Sequence, residues 1–454
     1  MSLFLMERNI LLFIAFRLLF NARFYYPIFA VIQLDYGLTM SQFAILNAIW
    51  AVSIVLLEVP SGALADRIGR KRMVVLASIL MVLEMAVIAF VPFGNVTLVF
   101  WAWVINRILS GAAEAAASGA DEALAYDSLP KEEQKSRWPG VLSRLMTLSS
   151  IAFIVAMLVG SASYDPVLLN RALGWFGIEV DLAKETVIRF PIYLTLATGI
   201  GTVVVALLMK EPKSDSGHDE SCSMWGEIFE VGKWILRQPF VYALILAALV
   251  HDSIVRIFLV SASEYYRLID IPVALFGVIG AAFAGIGIFT PKIAEWLVKN
   301  RSIQTNYLLV SISTLLGLIG ISLAIPIWGV GMILFFGVGF GFLNFFTSHY
   351  LNAEVDSRRR ATVLSFRGLA LNVGFGITSV VYGAILKGLG GGSEFNVDGA
   401  ASSDAAFRES LFWLPGLFLV ALAGFFLYYF RKAKSQVPWE HREPGKVKET
   451  ESET

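Results

Sequence analysis

The chain has 454 residues, of which 57% are hydrophobic and only 16% charged, and its mean hydropathy is +0.69. Soluble domains are about half apolar and about a quarter charged, so a water-soluble fold would expose too much apolar surface and we expect lipid as the solvent. The formal net charge is zero, which argues against nucleic acid as a partner. The single cysteine, Cys222, excludes an intramolecular disulfide and a cysteine-based zinc site.

The apolar runs predict how often the chain crosses a bilayer. A spanning helix requires about 20 mostly apolar residues, and twelve runs are long enough. They lie at 9–34, 41–64, 73–92, 96–125, 139–163, 188–209, 239–263, 272–298, 303–325, 328–350, 361–386 and 409–430. The sequence therefore predicts an all-α integral membrane protein with twelve transmembrane helices in two six-helix, pseudo-symmetric halves.

The chain order predicts where these halves begin and end. The N-terminal half is expected at 1–209, a cytoplasmic linker at 210–238, the C-terminal half at 239–432 and a cytoplasmic tail at 433–454. The linker contains an amphipathic stretch, MWGEIFEVGKWIL, which is expected to lie on the membrane surface. The side chains that we expect to point into the membrane there are Trp225, Ile228, Phe229 and Trp234.

The distribution of lysine and arginine predicts the orientation. With both termini in the cytoplasm, cytoplasmic segments hold 24 of the 36 Lys and Arg, external loops hold six, and the spans hold the other six. Short cytoplasmic loops carry the positive charge. We therefore expect a multi-pass protein of the cytoplasmic membrane with both termini inside.

A short polar stretch, GALADRIGRKR, separates the second and third runs at residues 62–72. Its glycines permit a sharp turn or a close approach, its aspartate can accept hydrogen bonds from a helix N-terminus, and its basic residues mark the cytoplasmic side. With the preceding residues it reads EVPSGALADRIGRKR, which resembles the loop between the second and third helices of the major facilitator superfamily of transporters. The residues predicted to gate transport are Gly62, Asp66, Arg67, Gly69, Arg70 and, in the eleventh run, Arg367.

Two further stretches carry the same resemblance. Arg107, followed by Gly111, resembles the family's fourth-helix motif, which is associated with proton coupling in exporters, and NAEVDSRRRATVLSFRGL at 352–369 resembles the loop between the tenth and eleventh helices. The resemblance implies an exporter of drugs or metabolites. One departure leaves uptake open: antiporters of the family carry a Gly-Pro and Gly-Gly pattern in the fifth helix, whereas residues 143–162 contain no proline and only Gly160.

Charges within the spans point to a central pathway. Each costs about 2.5–3.5 kcal/mol in hydrocarbon, so such side chains face a cavity or a partner. Arg17 is expected to pair with Asp121 or Glu122, either as a static link between the first and fourth helices or as part of transport. Arg107 lies two turns from Glu114, where a fixed positive charge favours the ionised carboxylate and helps it release a proton.

The seventh run contributes His251, Asp252 and Arg256 near its middle. Asp252 and Arg256 are four residues apart and can pair on one helix. His251 titrates near physiological pH, which suits a proton carrier, although a buried histidine is more often only hydrogen-bonded. The residues predicted to line the substrate or proton pathway are Arg17, Asn21, Tyr25, Arg107, Glu114, Asp121, Glu122, His251, Asp252, Arg256, Asn344 and Asn372.

These observations favour a monomeric secondary transporter that exports a small organic solute in exchange for protons. The alternatives are a solute importer, either a proton symporter or a uniporter, and a non-transporting receptor or scaffold, which predicts a cavity without titratable residues. The sequence contains no phosphate-binding Walker pattern and no catalytic or metal-ligand spacing. We therefore expect neither an enzyme nor a cofactor nor a metal.

Overall fold

A computed structural model of the protein describes residues 2–211, 224–355, 357–391 and 397–438. Ten helices lie before residue 212: α1 Ser2–Asn21, α2 Phe29–Asp35, α3 Met40–Ile68, α4 Arg70–Phe90, α5 Val96–Ala117, α6 Ala120–Asp127, α7 Gln134–Tyr164, α8 Pro166–Trp175, α9 Lys184–Val187 and α10 Phe190–Leu208. Seven follow: α11 Met224–Leu236, α12 Pro239–Leu268, α13 Phe276–Asn300, α14 Ile303–Ser322, α15 Gly329–Glu354, α16 Ser357–Leu386 and α17 Val397–Tyr428.

The twelve predicted membrane spans are confirmed. Twelve helical segments within the described residues are long and apolar enough to cross a membrane, and each overlaps one predicted run. The first span combines α1 and α2, and the fourth combines α5 and α6. The protein is therefore an all-α, multi-pass membrane protein.

The chain divides into two compact units. The first unit comprises Met1–Ser221 and Pro272–Ala281, and the second comprises Cys222–Ile271 and Ala282–Thr454. The first unit thus includes the beginning of the eighth span. The predicted domain boundaries at residues 209 and 239 remain predictions.

Small residues allow helices of the first unit to pack closely. A Cβ atom on Gly111 of α5 would lie 2.6 Å from the Cβ of Ser53 on α3, and one on Gly160 of α7 would overlap the carbonyl oxygen of Phe24. Neither position has room for a side chain. Close approach of this kind is how membrane helices associate, because lipid supplies no hydrophobic drive between them.

Three predicted elements differ from the structure. Most of the 62–72 stretch is helical rather than a loop, because α3 continues to Ile68 and only Gly69, with φ of +100°, breaks it. The predicted first and fourth helices are each broken, the first after Asn21 and the fourth at Gly119, whose φ is +74°. Glycine adopts these positive-φ conformations without the steric cost that a Cβ brings.

The amphipathic stretch of the linker forms α11, as predicted. A Cβ atom on Gly232 of this helix would lie 3.0 Å from the ring of Phe366 on α16, and Ile235 is fully buried. Phe229 is exposed, which agrees with a membrane-facing side chain. The side chains of Trp225 and Ile228 lie outside the described part of the chain.

Candidate functional site

The first polar cluster joins the first and fourth spans. Arg17 donates from Nη2 to Oδ1 of Asp121 at 3.0 Å and reaches Oε1 of Glu122 at 3.5 Å. The Asp121 side chain is fully buried, whereas half of the Glu122 side chain is exposed. The predicted pair is therefore present, with Asp121 as the main partner of Arg17.

A second cluster in the first unit contains a fully buried ion pair. Arg23 of the first span pairs with Glu84 of α4, and their side chains are 4% and 0% exposed. The fourth span supplies the acid for Arg17 but not for Arg23, because the chain turns after Asn21 and directs Arg23 to α4.

Arg107 lies beside this buried pair. Nδ2 of Asn106 donates to the carbonyl oxygen of Glu84 at 2.8 Å, and Arg107 donates to Oδ1 of Asn106 from Nε at 3.0 Å and from Nη2 at 2.7 Å. The guanidinium of Arg107 also lies 5.1 Å from the ring centroid of Phe29. The neighbours of the Arg107 guanidinium are thus the Asn106 amide and the rings of Phe29 and Trp103, rather than the Glu114 carboxylate.

Glu114 differs from the other acids of its span. It lies half-buried on α5 and forms no ion pair with any described residue. Its charge acts on Glu58 of α3, which is also half-buried, and on Asp121 and Arg23. Ser61 donates from Oγ to the carbonyl oxygen of Ala115 at 2.7 Å and holds the two helices together at this level. Two half-buried carboxylates on packed spans thus lie within each other's field.

The second unit holds a polar cluster on the seventh and eleventh spans. Nη2 of Arg256 lies 2.6 Å from Oδ2 of Asp252, and Nη1 donates to Oδ1 of Asn372 on α16 at 2.9 Å. The Asp252 side chain is buried. Arg367, also on α16, has Nε and Nη1 buried without a hydrogen-bond partner among the described residues, and its charge acts on Asp252.

His251 points away from its neighbour Asp252. Its Nδ1 lies 2.8 Å from the carbonyl oxygen of Ala247, and its Nε2 lies 3.0 Å from Oγ of Ser311 on α14. A carbonyl only accepts, so Nδ1 carries a proton, and both ring nitrogens have a hydrogen-bond partner. The geometry therefore supports the hydrogen-bonded alternative for His251 and separates it from the Asp252 cluster.

Three other predicted pathway residues lie outside the polar clusters described above. Asn21 is exposed at the end of α1, and Asn344 is exposed and donates to the carbonyl oxygen of Phe340 in its own helix at 3.1 Å. Tyr25 is buried, and its ring packs against Tyr26 at a centroid distance of 5.3 Å. The role of these residues in transport stays a prediction.

The predicted gating stretch is held by acids that the sequence did not single out. Glu211 accepts from the backbone N–H groups of Arg70 at 2.9 Å and Lys71 at 2.7 Å, which are the first amides of α4. Arg70 also forms an ion pair with Asp127 at the end of α6. A carboxylate at a helix N-terminus satisfies amides that have no partner within the helix. Glu211 thus links the end of the sixth span to the start of the third.

The other gating residues are less constrained. Arg67 is exposed at the end of α3, and Gly62 is half-buried within the same helix. The side chain of Asp66 lies outside the described part of the chain. The expected contact of an acid with a helix N-terminus is therefore seen for Glu211, and for Asp66 it stays a prediction.

Three acids, Glu84, Glu211 and Asp127, were not predicted as partners from the sequence. For Glu84 a signal existed, because it is the only charged residue between residues 73 and 92 and a buried arginine needs an acid. The sequence contained no such signal for Glu211 and Asp127, because both lie among many other charged residues at the ends of spans. The described residues contain no group of three or more His, Cys, Asp or Glu that could hold a metal ion.

Twelve apolar helical segments within the described residues, with buried ion pairs between them, define an integral membrane protein. Residues 11–379 match the family Major Facilitator Superfamily. The chain belongs to this superfamily and is a secondary transporter, not an enzyme. No curated protein matches the sequence.

Solved structures of transporters share the fold. A bacterial homolog of the human lysosomal transporter Spinster, in an inward-facing and unoccupied conformation, has 14% identity and a TM-score of 0.67, covering 94% of this chain and 96% of its own. The nucleoside transporter NupG has 13% identity and a TM-score of 0.65, covering 92% and 98%. A D-xylose–proton symporter has 13% identity and a TM-score of 0.63, covering 92% and 96%. At these identities the similarity shows the fold alone.

Proposed function

We propose that this transporter couples the movement of a small organic solute to protons, and that Glu114 is the group that binds the proton in the first unit. The observation that carries the proposal is that Glu114 is half-buried in a spanning helix, beside Glu58, without an ion pair to a described residue. Carboxylates within spanning helices mark substrate and proton pathways in transporters.

Asp252 is a second coupling group of a different kind. Its carboxylate already has a cation, because Arg256 lies 2.6 Å away. A proton on Asp252 would weaken that ion pair and leave Arg256 with Asn372 as its remaining polar partner. Protonation there would change which partners Arg256 has, whereas protonation of Glu114 would only remove a charge.

Export is the direction that we propose, and the similarity of Arg107 and Gly111 to the fourth-helix motif of exporters supports it. Uptake by proton symport is the second candidate, because the fifth span lacks the antiporter pattern. Its Gly160 makes a close contact with the backbone of Phe24 instead. The basic bias of the predicted cytoplasmic segments supports an orientation in the cytoplasmic membrane with both termini inside, and we propose that the protein is a monomer.

The experiment is solute flux in sealed liposomes that contain the purified protein and a pH-sensitive dye. Nucleosides, pentoses and aromatic cations form the test panel, because transporters of the first two classes share the fold. Glu114→Gln should remove the pH dependence of gradient-driven flux, while exchange without a gradient survives. Its folding should be unchanged, because no described ion pair is lost.

Two controls sharpen this test. Glu133→Gln removes an exposed carboxylate, which forms an ion pair with Arg137 one turn away, and should leave the pH dependence intact. Asp252→Asn should also remove the pH dependence but destabilise the fold, because it strips Arg256 of its carboxylate. Equal pH dependence in Glu114→Gln and wild type would refute the role of Glu114. A protein that moves no member of any solute class would favour the receptor alternative.

A further inference from the structure

Three spans of the second unit form an open apolar groove at one of their ends. α12 and α14 begin there and α17 ends there, at Pro239, Ile303 and Tyr428. The cavity between them has a volume of about 470 Å³, within the range of roughly 300–1,000 Å³ that ligand sites occupy. Its walls are apolar and aromatic, and include Phe240, Leu244, Leu308, Phe426 and Phe430.

The mouth of the groove is polar and basic. Gln304, Phe430 and Lys434 line both the groove and an adjoining cavity of about 350 Å³, to which Ser435 also contributes. Nζ of Lys434 lies 5.3 Å from the ring centroid of Phe430, so its charge is held at the point where the two cavities meet. None of the described residues that line either cavity is acidic.

We propose that this groove, hereafter the α12–α14–α17 groove, binds an anionic phospholipid from the adjacent leaflet. The acyl chain would lie along the aromatic walls and the headgroup at Lys434. Two observations favour a lipid as the ligand. The groove opens on a lipid-facing surface, where Leu308 is 50% and Phe430 60% exposed. It also lies at the ends of the spans, at the level of the lipid headgroups.

The positive charge at the mouth of the groove favours an anionic headgroup. Arg431 and Lys432 are also exposed just after α17, so three basic residues lie within four positions of the chain. Basic residues immediately outside a span attract anionic lipids, and basic pockets between spans bind their headgroups. A zwitterionic lipid would place its own cation against Lys434, which disfavours it.

The floor of the groove is continuous with the buried polar network of the second unit. Ala247, which lines the groove, accepts through its carbonyl oxygen from Nδ1 of His251 at 2.8 Å. Tyr307, which also lines it, has its hydroxyl 3.1 Å from Oγ1 of Thr347 on α15. A bound lipid would therefore stabilise the packing of α12, α14 and α15 around His251.

The test is native mass spectrometry of the purified full chain titrated with phosphatidylglycerol or phosphatidylcholine. The wild type should bind at least one phosphatidylglycerol more tightly than any phosphatidylcholine. Lys434→Gln should weaken that binding roughly fivefold, the contribution of one basic residue near a membrane surface. The control Lys387→Gln removes an exposed charge that lines neither cavity and lies outside the 431–434 cluster, and it should change the affinity by less than about twofold.

A second pair of variants tests the acyl-chain part. Leu308→Trp fills the groove and should abolish the tight site, whereas Leu309→Trp, at an exposed neighbour outside the lining, should not. Glycerol 3-phosphate, which has the headgroup without the chains, should not compete with the lipid. Equal loss in the matched variants, equal affinity for the two lipids, or competition by glycerol 3-phosphate would each overturn the proposal. If Lys434→Gln fails to fold, Lys434→Arg replaces it and should retain the site.

Discussion

The buried pair of Arg23 and Glu84 gives the sharpest prediction about stability. Glu84→Gln keeps the shape of the side chain and the hydrogen bond from Asn106, which goes to the backbone of residue 84. It removes the carboxylate that is paired with the buried Arg23. Breaking one partner of a buried ion pair costs about 3–5 kcal/mol, because an uncompensated charge remains. The folded-to-unfolded ratio should therefore fall by roughly two to four powers of ten.

The assay is equilibrium unfolding in mixed detergent micelles, followed by circular dichroism. Glu122→Gln is the control, because Glu122 is half-exposed at 3.5 Å from Arg17 and such pairs contribute about 0–1 kcal/mol. Removing both charges with Arg23→Met and Glu84→Met should recover most of the lost stability. If Glu84→Gln is no less stable than Glu122→Gln, or if the double variant is as unstable as Glu84→Gln, the assignment of a buried ion pair is refuted.

Three further predictions concern helix packing and the 62–72 stretch. Gly160→Ala should destabilise the protein by about 1–3 kcal/mol in the same unfolding titration, because the added Cβ would overlap a backbone oxygen of the first span. The control Gly140→Ala should be neutral or stabilising, because a Cβ at residue 140 would have no other atom within 4 Å. Gly62→Leu and Asp66→Asn should slow turnover and leave solute affinity within a few fold, so lost affinity with intact turnover would contradict gating. Glu211→Gln should weaken the cap of α4 by about 0.5–2 kcal/mol, and unchanged hydrogen exchange at the first two amides of α4 would show that the cap contributes nothing.

The span count was predictable because it depends on composition alone. Twenty or so apolar residues in a row have few alternatives to a membrane helix. Helix boundaries were less predictable, and residues 62–68 show why. Their charges suggested a loop, but Ala63, Leu64 and Ala65 favour helix, so the helix stops only where Gly69 takes a positive φ.

Pairs within one helix, or at matching depths in two spans, were predictable, whereas pairs that depend on a helix break or on how spans end were not. Asp252 and Arg256 are four residues apart on one helix, so their contact follows from helix geometry. Arg17 with Asp121 was predictable because both depths could be counted from the ends of their spans. Arg23 with Glu84 depends on a break in the first span, and the contact of Glu211 with α4 depends on how the sixth and third spans end. Neither contact can be predicted from the residues near it in the sequence.

Proton coupling can be tested on the wild-type protein by solute-dependent proton movement. Liposomes with the protein and an internal pH-sensitive dye are exposed to each solute of the panel at zero membrane potential. We expect at least one solute to change the internal pH, and an imposed pH gradient to drive accumulation of the same solute. A solute that crosses at a rate independent of the pH gradient, without any change of internal pH, would contradict proton coupling.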